Sequence, residues 1–149
     1  MTETNPLDCP YYLISRVALF VTSALKKGFS DAGVETVKPA YLGVLLTLWR
    51  ADGLKVVDLG RKAGLEPSSM TGLLDRMERD TLLYRAADPS DRRAQRIHLT
   101  PTGREVKTPV FQVVDTVLAG VFKGITDDDI RHTKDILQRV LTNAQEGNR

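Results

Sequence analysis

Residues 54–103 read LKVVDLGRKAGLEPSSMTGLLDRMERDTLLYRAADPSDRRAQRIHLTPTG. A short helical pattern, Val56 to Ala63, stops at Gly64-Leu65, with glycine where a helix-turn-helix joint favours it. A second helix opens near Pro67, since the missing proline N–H would be unpaired at a first helical position anyway. In it Met70, Leu73, Leu74 and Met77 recur at steps of three and four and form one apolar, core-facing stripe. The opposite face carries Ser68, Ser69, Thr71, Gly72, Asp75, Arg76 and Arg79. Small hydroxyl residues followed by arginine suit a helix laid in a DNA major groove. A hairpin comes next, with strand composition in Leu82–Ala86 and Arg96–Thr100. Its loop, Ala87 to Gln95, holds the turn formers and arginines Asp88-Pro89-Ser90-Asp91-Arg92-Arg93. A helix-turn-helix followed at once by an arginine-tipped hairpin is a winged helix.

The chain has 149 residues, the size of one domain, and its 42% hydrophobic content is enough for an ordinary core. Charges are balanced, at 21 basic and 19 acidic residues, so a net +2 does not by itself indicate a nucleic-acid partner. Their distribution says more: residues 50–107 hold 12 basic and 9 acidic residues, a local +3. Residues 126–149 hold 4 and 5, a local −1. Any DNA binding would rest on placed arginines rather than on bulk charge. One cysteine excludes an intrachain disulfide framework and agrees with a reducing, cytoplasmic location. The N-terminus lacks a signal-peptide layout, and no apolar run approaches the ~20 residues that span a bilayer.

Around the central stretch the chain reads as helices. Residues 1–9 are expected to be a loose arm. From Pro10 to about Ala32, Leu13, Val17, Phe20, Val21, Ala24, Leu25 and Phe29 recur at helical spacing, with Gly33 as the stop. Lys38-Pro39 begins another helix that ends at Asp52-Gly53. A long helix is expected from Pro101 to about Lys123, with a kink or late start at Pro109. Gly124-Ile125 breaks it, and Thr126 caps a last helix whose first turn is Asp127-Asp128-Asp129, acids that suit the helix dipole. The fold class is mainly α with a small β-hairpin wing. Residues 38–103 form the winged helix-turn-helix, while 10–37 and 104–149 supply the flanking helices. The terminal helices are amphipathic and must bury their stripes, either within a three-layer monomer or against a second subunit.

The winged stretch resembles the multiple antibiotic resistance regulator (MarR) family of bacterial transcriptional regulators. The likeness lies in Leu59–Leu65, in Leu73–Glu78, in the wing Asp88–Ala94 and in the exit Leu99-Thr100-Pro101-Thr102-Gly103. The family's Asp-x-Arg wing signature falls on Asp91 and Arg93. Two positions depart from it. Thr81 stands where the family usually has a glycine suited to a left-handed helix end, so either the turn differs or strain is stored. Gly72 stands where many relatives are basic.

The resemblance implies a ligand-responsive repressor of double-stranded DNA, binding a pseudo-palindromic operator as a homodimer. Arg93 is expected in the minor groove, oriented by donating a charge-assisted hydrogen bond to Asp91, with Arg92 and Arg96 on phosphates. Ser68, Ser69 and Thr71 lie nearest base edges, with Arg76 further along; Gly72 permits close backbone approach or is a neutral gap. Asp75 either accepts from a cytosine amine or pairs with Arg79. Tyr11, Tyr12, Arg16 and Trp49 are candidate walls for a small aromatic or phenolic effector, and packing or surface groups are the competing reading. Cys9, followed by Pro10-Tyr11-Tyr12, resembles the sensing cysteine of peroxide-responsive members but sits about one residue away, a rotation of ~100°. An incidental thiol competes with the sensor. His98 and His132 lack metal-ligand spacing, so no metal is expected, and no cofactor. No nucleophile–base pair or phosphate loop stands out, so the chain does not read as an enzyme. The rival function is a winged-helix protein-interaction module with no DNA target.

Overall fold

The computed structural model describes residues 5–147, so residues 1–4 of the expected arm lie outside the described residues. Pro6–Asp8 form a single 3-10 turn, and α1 then runs Pro10–Asp31 with proline at its first position. It ends on Gly33, whose φ of 75° lets Val34 N–H reach back to the Phe29 carbonyl at 2.9 Å. This six-to-one bond occupies an orphan carbonyl, and glycine takes the left-handed position without steric cost. A 3-10 turn, Pro39–Tyr41, leads into α2 (Leu42–Arg50). The next elements are β1 (Leu54–Lys55), α3 (Val56–Ala63) and α4 (Pro67–Arg79). Gly64, at φ 69°, repeats the α1 ending: Leu65 N–H donates to the Gly60 carbonyl at 2.9 Å.

The wing is β2 (Leu83–Ala87) and β3 (Gln95–Leu99), paired antiparallel with Leu83 opposite Leu99 and Ala87 opposite Gln95. Each strand is displaced by one residue from its expected position. The two-residue β1 adds an edge, giving the order β1-β3-β2, a third strand too short to leave a period in the sequence. After the wing come α5 (Pro101–Glu105), α6 (Lys107–Val121) and α7 (Asp127–Gly147). The expected long helix is therefore two, broken at Val106. Pro109 accounts for the place: it donates no N–H to the Glu105 carbonyl four residues back, and its ring crowds that carbonyl.

The chain divides into two compact units, one through Val117 and one from Leu118. This division differs from the boundaries at 37/38 and 103/104 because one core ignores them. Leu25 and Phe29 of α1, Val44, Leu45 and Leu48 of α2, the stripe of α4, Ile97 of β3 and Val110 of α6 are buried in a single cluster. Gly28 lets α1 and α6 approach closely, since a Cβ there would lie 2.6 Å from Val113 Cγ1. Towards the start of α1 the stripe is uncovered: Leu13, Val17 and Phe20 are exposed. In the second unit Thr126 caps α7, accepting from Asp129 N–H at 3.1 Å. Ile136, Leu137, Val140 and Leu141 lie exposed along that helix, which has no buried residue.

Candidate nucleic-acid interface

Helix α4 turns the two sides of its sequence apart. Met70, Leu73, Leu74 and Met77 are buried, while Ser68, Ser69, Thr71, Gly72 and Arg76 are exposed along the other side. Gly72 leaves a flat place beside Arg76: a Cβ there would lie 3.7 Å from Arg76 Nη1, in ordinary contact. Arg76 and Arg79 form no ion pair with any described residue. The expected pairing of Asp75 with Arg79 is thus not made. Asp75 instead meets Arg85 of β2 at 2.7 Å, and the same guanidinium holds Glu78 at 2.8 Å.

The end of α4 repeats the two glycine endings, but with Thr81 in the left-handed place at φ 63°. Leu82 N–H donates to the Met77 carbonyl at 3.0 Å and Thr81 N–H to the Glu78 carbonyl at 3.0 Å. Of the two readings left open at Thr81, the strained one is realised. A β-branched residue in that region costs of order 1–2 kcal/mol. The surroundings hold it there. Tyr41 Oη donates to Asp80 Oδ2 at 2.6 Å, and Thr100 Oγ1 donates to the Thr81 carbonyl at 2.5 Å. Burial, then the Asp80 hydrogen bond, push the Tyr41 phenol up to about 12.

The exit Leu99-Thr100-Pro101-Thr102-Gly103 is a clamp on this same corner. Thr100 N–H donates to the Leu82 carbonyl at 3.1 Å, and its hydroxyl accepts from Gly103 N–H at 3.0 Å, capping α5. A Cβ on Gly103 would lie 2.0 Å from the Leu82 carbonyl oxygen, so only glycine allows the approach. Trp49 Nε1 closes the clamp from α2, donating to the Gly103 carbonyl at 2.9 Å.

The wing loop is organised by Asp88, a residue that in sequence reads only as a turn former. Its carboxylate is buried and accepts from Ser90 N–H at 2.8 Å, Asp91 N–H at 3.0 Å and Arg96 Nε at 2.6 Å. The Ser90 hydrogen bond holds this carboxyl below its ordinary value against the effect of burial, and Arg96 and Lys55 assist. Arg96, expected on a phosphate, is committed inward: its Nη1 also donates to the Gly53 carbonyl at 2.7 Å, tying the wing to β1. Asp91 does not hold the Arg93 guanidinium as expected; its Oδ1 accepts from Arg93 backbone N–H at 3.0 Å. This bond fixes the main chain of the tip and leaves the side chain free to reach outward. Arg92 and Arg93 are exposed and pair with no described carboxylate. Asp88 and Arg85 are the site residues missed from sequence. Their signals were an aspartate ahead of a proline turn and an arginine inside a strand, with two carboxylates one helical turn apart on the preceding helix.

The remaining candidates lie elsewhere. Tyr11 and Tyr12 are exposed on α1, and Arg16 lies over the Phe20 ring at 4.9 Å, a cation–π contact. Trp49 packs against Phe111, ring centroids 5.5 Å apart. A shallow groove of about 340 Å³ between α1 and α6 is lined by Gly28, Asp31, Gln112, Val113 and Thr116 among others, and by none of these four. Cys9 is the half-buried residue that precedes α1. His98 stacks on Tyr84 at 5.3 Å. Among the described residues no group of three His, Cys, Asp or Glu could hold a metal ion, and no helix is long and apolar enough to cross a membrane.

This architecture has relatives. The MarR family matches residues 39–94. The chain is 35% identical over 92 residues to the uncharacterized HTH-type transcriptional regulator YsmB of Bacillus subtilis (strain 168), covering 62% of each chain. It is 31% identical over 110 residues to the organic hydroperoxide resistance transcriptional regulator of the same strain, covering 74% of this chain and 73% of that one. Among solved structures, CouR from Rhodococcus jostii RHA1 bound to p-coumaroyl-CoA superposes with a TM-score of 0.74 at 27% identity, over 90% of this chain and 92% of that one. The chain spans 51% to 65% of the length of several curated relatives that it matches. With its wing, its clamp and these likenesses, the chain belongs to the MarR family.

Proposed function

We propose that this protein is a sequence-specific DNA-binding transcriptional repressor acting in the cytoplasm as a homodimer. Residues 38–103 would be its reading head, and 10–37 and 104–149 would supply its dimerisation helices. One observation carries the reading. The wing tip is built around a buried carboxylate so that Arg92 and Arg93 stand exposed with no described acid to hold them, beside a helix whose exposed face offers Ser68, Ser69, Thr71, Gly72 and Arg76. A tip that served only solubility would need no such scaffold. Arg93 enters a minor groove and Arg92 meets phosphates, while α4 lies in the major groove. The uncovered apolar faces of α1 and α7 support a second copy, because exposed stripes of this size seldom stay in water.

Reversal of one charge tests it. Arg93→Glu should abolish retention of a duplex selected by the wild-type protein from a random pool. Wild-type affinity should fall steeply with salt, as released counterions require. Unchanged binding by the variant, or a flat salt response, would favour the protein-interaction module instead. A small aromatic or phenolic effector is supported by CouR's p-coumaroyl-CoA, with Tyr11, Tyr12, Arg16 and Trp49 as the residues to substitute first. Control by thiol oxidation at Cys9 is the second reading, supported by the 31% identical hydroperoxide-resistance regulator. Organic hydroperoxide should then release DNA from the wild type and not from Cys9→Ser.

A further inference from the structure

Thr71, Asp75 and Glu78 follow one another at i, i+4 and i+7 along α4, so the two carboxylates continue the exposed line on which Thr71 lies. Asp75 is 55% exposed and Glu78 is 42% exposed at the side chain, beside the surface that the DNA reading presses against a polyanion. Two uncompensated negative charges there would oppose binding. Beneath them lies Arg85 of β2, only 18% exposed at its side chain. Its Nη2 meets Asp75 Oδ1 at 2.7 Å, its Nη1 meets Glu78 Oε2 at 2.8 Å, and its own backbone N–H reaches Glu78 Oε1 at 3.3 Å. The planar guanidinium spans both acids at once, which a lysine point charge does not do.

We infer that Arg85 is a positioning residue for DNA binding, which offsets one of the two negative charges on the edge of the reading helix and holds both carboxylates against the wing rather than touching DNA itself. The inference rests on the DNA-binding reading. Asp75 is then neither a cytosine reader nor a partner of Arg79. Its charge belongs to Arg85.

Four proteins compared on one duplex, selected by the wild type from a random pool, test this. Arg85→Met should bind that duplex about tenfold or more weaker, because two acids are bared to phosphates. Adding Asp75→Asn and Glu78→Gln to Arg85→Met should restore affinity to within about threefold of wild type, since no bared charge remains. Asp75→Asn/Glu78→Gln alone should bind at least as tightly as wild type. A purely structural strut predicts the opposite for both, because each removes the ion pairs. If the triple variant stays as weak as Arg85→Met, or if Arg85→Met binds normally, the inference is wrong. Should Arg85→Met fail to fold, the Asp75→Asn/Glu78→Gln protein decides alone, and weaker binding by it overturns the inference. A wild type that retains no duplex removes the DNA reading itself, an outcome separate from all of these.

Discussion

Gly103→Ala is expected to do more damage than any other single-methyl addition considered for this fold. The new Cβ would lie 2.0 Å from the Leu82 carbonyl oxygen and 3.2 Å from Leu99 Cδ2. Ordinary contact begins near 3.4 Å, so α5 must back away by about 3.4 − 2.0 = 1.4 Å. The obstacle is backbone, which no rotamer change removes. Such a shift stretches the Thr100 N–H bond to Leu82 (3.1 Å) and the Thr100 hydroxyl bond to Thr81 (2.5 Å) beyond useful length. Losing both at ~1 kcal/mol each, with ~1–3 kcal/mol for overpacking, gives a loss of about 3–5 kcal/mol. In a chain of this size that lowers Tm by roughly 6–20 °C. Gly72→Ala is the control, a methyl in ordinary contact inside a helix, and it should stabilise by about 1 kcal/mol. Thermal unfolding of both variants, followed by circular dichroism, reads the comparison. A Gly103→Ala protein melting within about 2 °C of wild type would refute the clamp as drawn.

Thr81→Gly should raise stability by about 0.5–1 kcal/mol, because relief of the strain at φ 63° exceeds glycine's added unfolded-state entropy. A lower urea midpoint would contradict this. Asp88, whose folded carboxyl lies below its ordinary 3.8, lends stability that is complete above that pH and fades as pH falls through the lowered folded value. Asp88→Asn should therefore be less stable at neutral pH and lose less on acidification than wild type, seen in urea midpoints across the acid range. Tyr41, raised to about 12, contributes stability below its ordinary 10.0 that is lost as pH rises through about 12. An ultraviolet titration should show one phenol ionising near 12, absent from Tyr41→Phe.

Much of the fold was legible because its signals are local. Met70, Leu73, Leu74 and Met77 advertise a helical stripe, and they are buried. Gly33 and Gly64 advertise left-handed helix ends, and both take positive φ. The exposed wing loop was equally plain from its turn formers. Contacts made across sequence left weaker traces. Arg96 reads as one more basic residue until Asp88 and the Gly53 carbonyl, 43 residues earlier, are brought beside it. Arg85 reads as a strand residue until α4 places Asp75 and Glu78 over it. Helical spacing favoured Asp75 with Arg79, but a partner rising from the adjacent strand offers a fork to two acids at once. The extra break before Pro109 was half legible: proline marked the region, while the exact residue depended on which carbonyl lost its donor.

Four joints of this reading head end on backbone carbonyls: Leu82 and Thr81 accept from Thr100, Gly103 from Trp49, and Gly53 from Arg96. A carbonyl survives any substitution of its side chain, so these joints depend on the donors and on space alone. That explains why Thr81 is tolerated. Its carbonyl receives the Thr100 hydroxyl whatever side chain it carries, and the helix end around it closes at 3.0 Å, beside 2.9 Å at the two glycine endings. It also explains why Gly103 has no substitute, since there the space itself is the contact. Positions that look alike as glycine sites in a family pattern thus differ in kind. At Thr81 glycine would relieve a conformational strain that the surrounding bonds already overcome, whereas at Gly103 any side chain meets a carbonyl that cannot move without opening the wing.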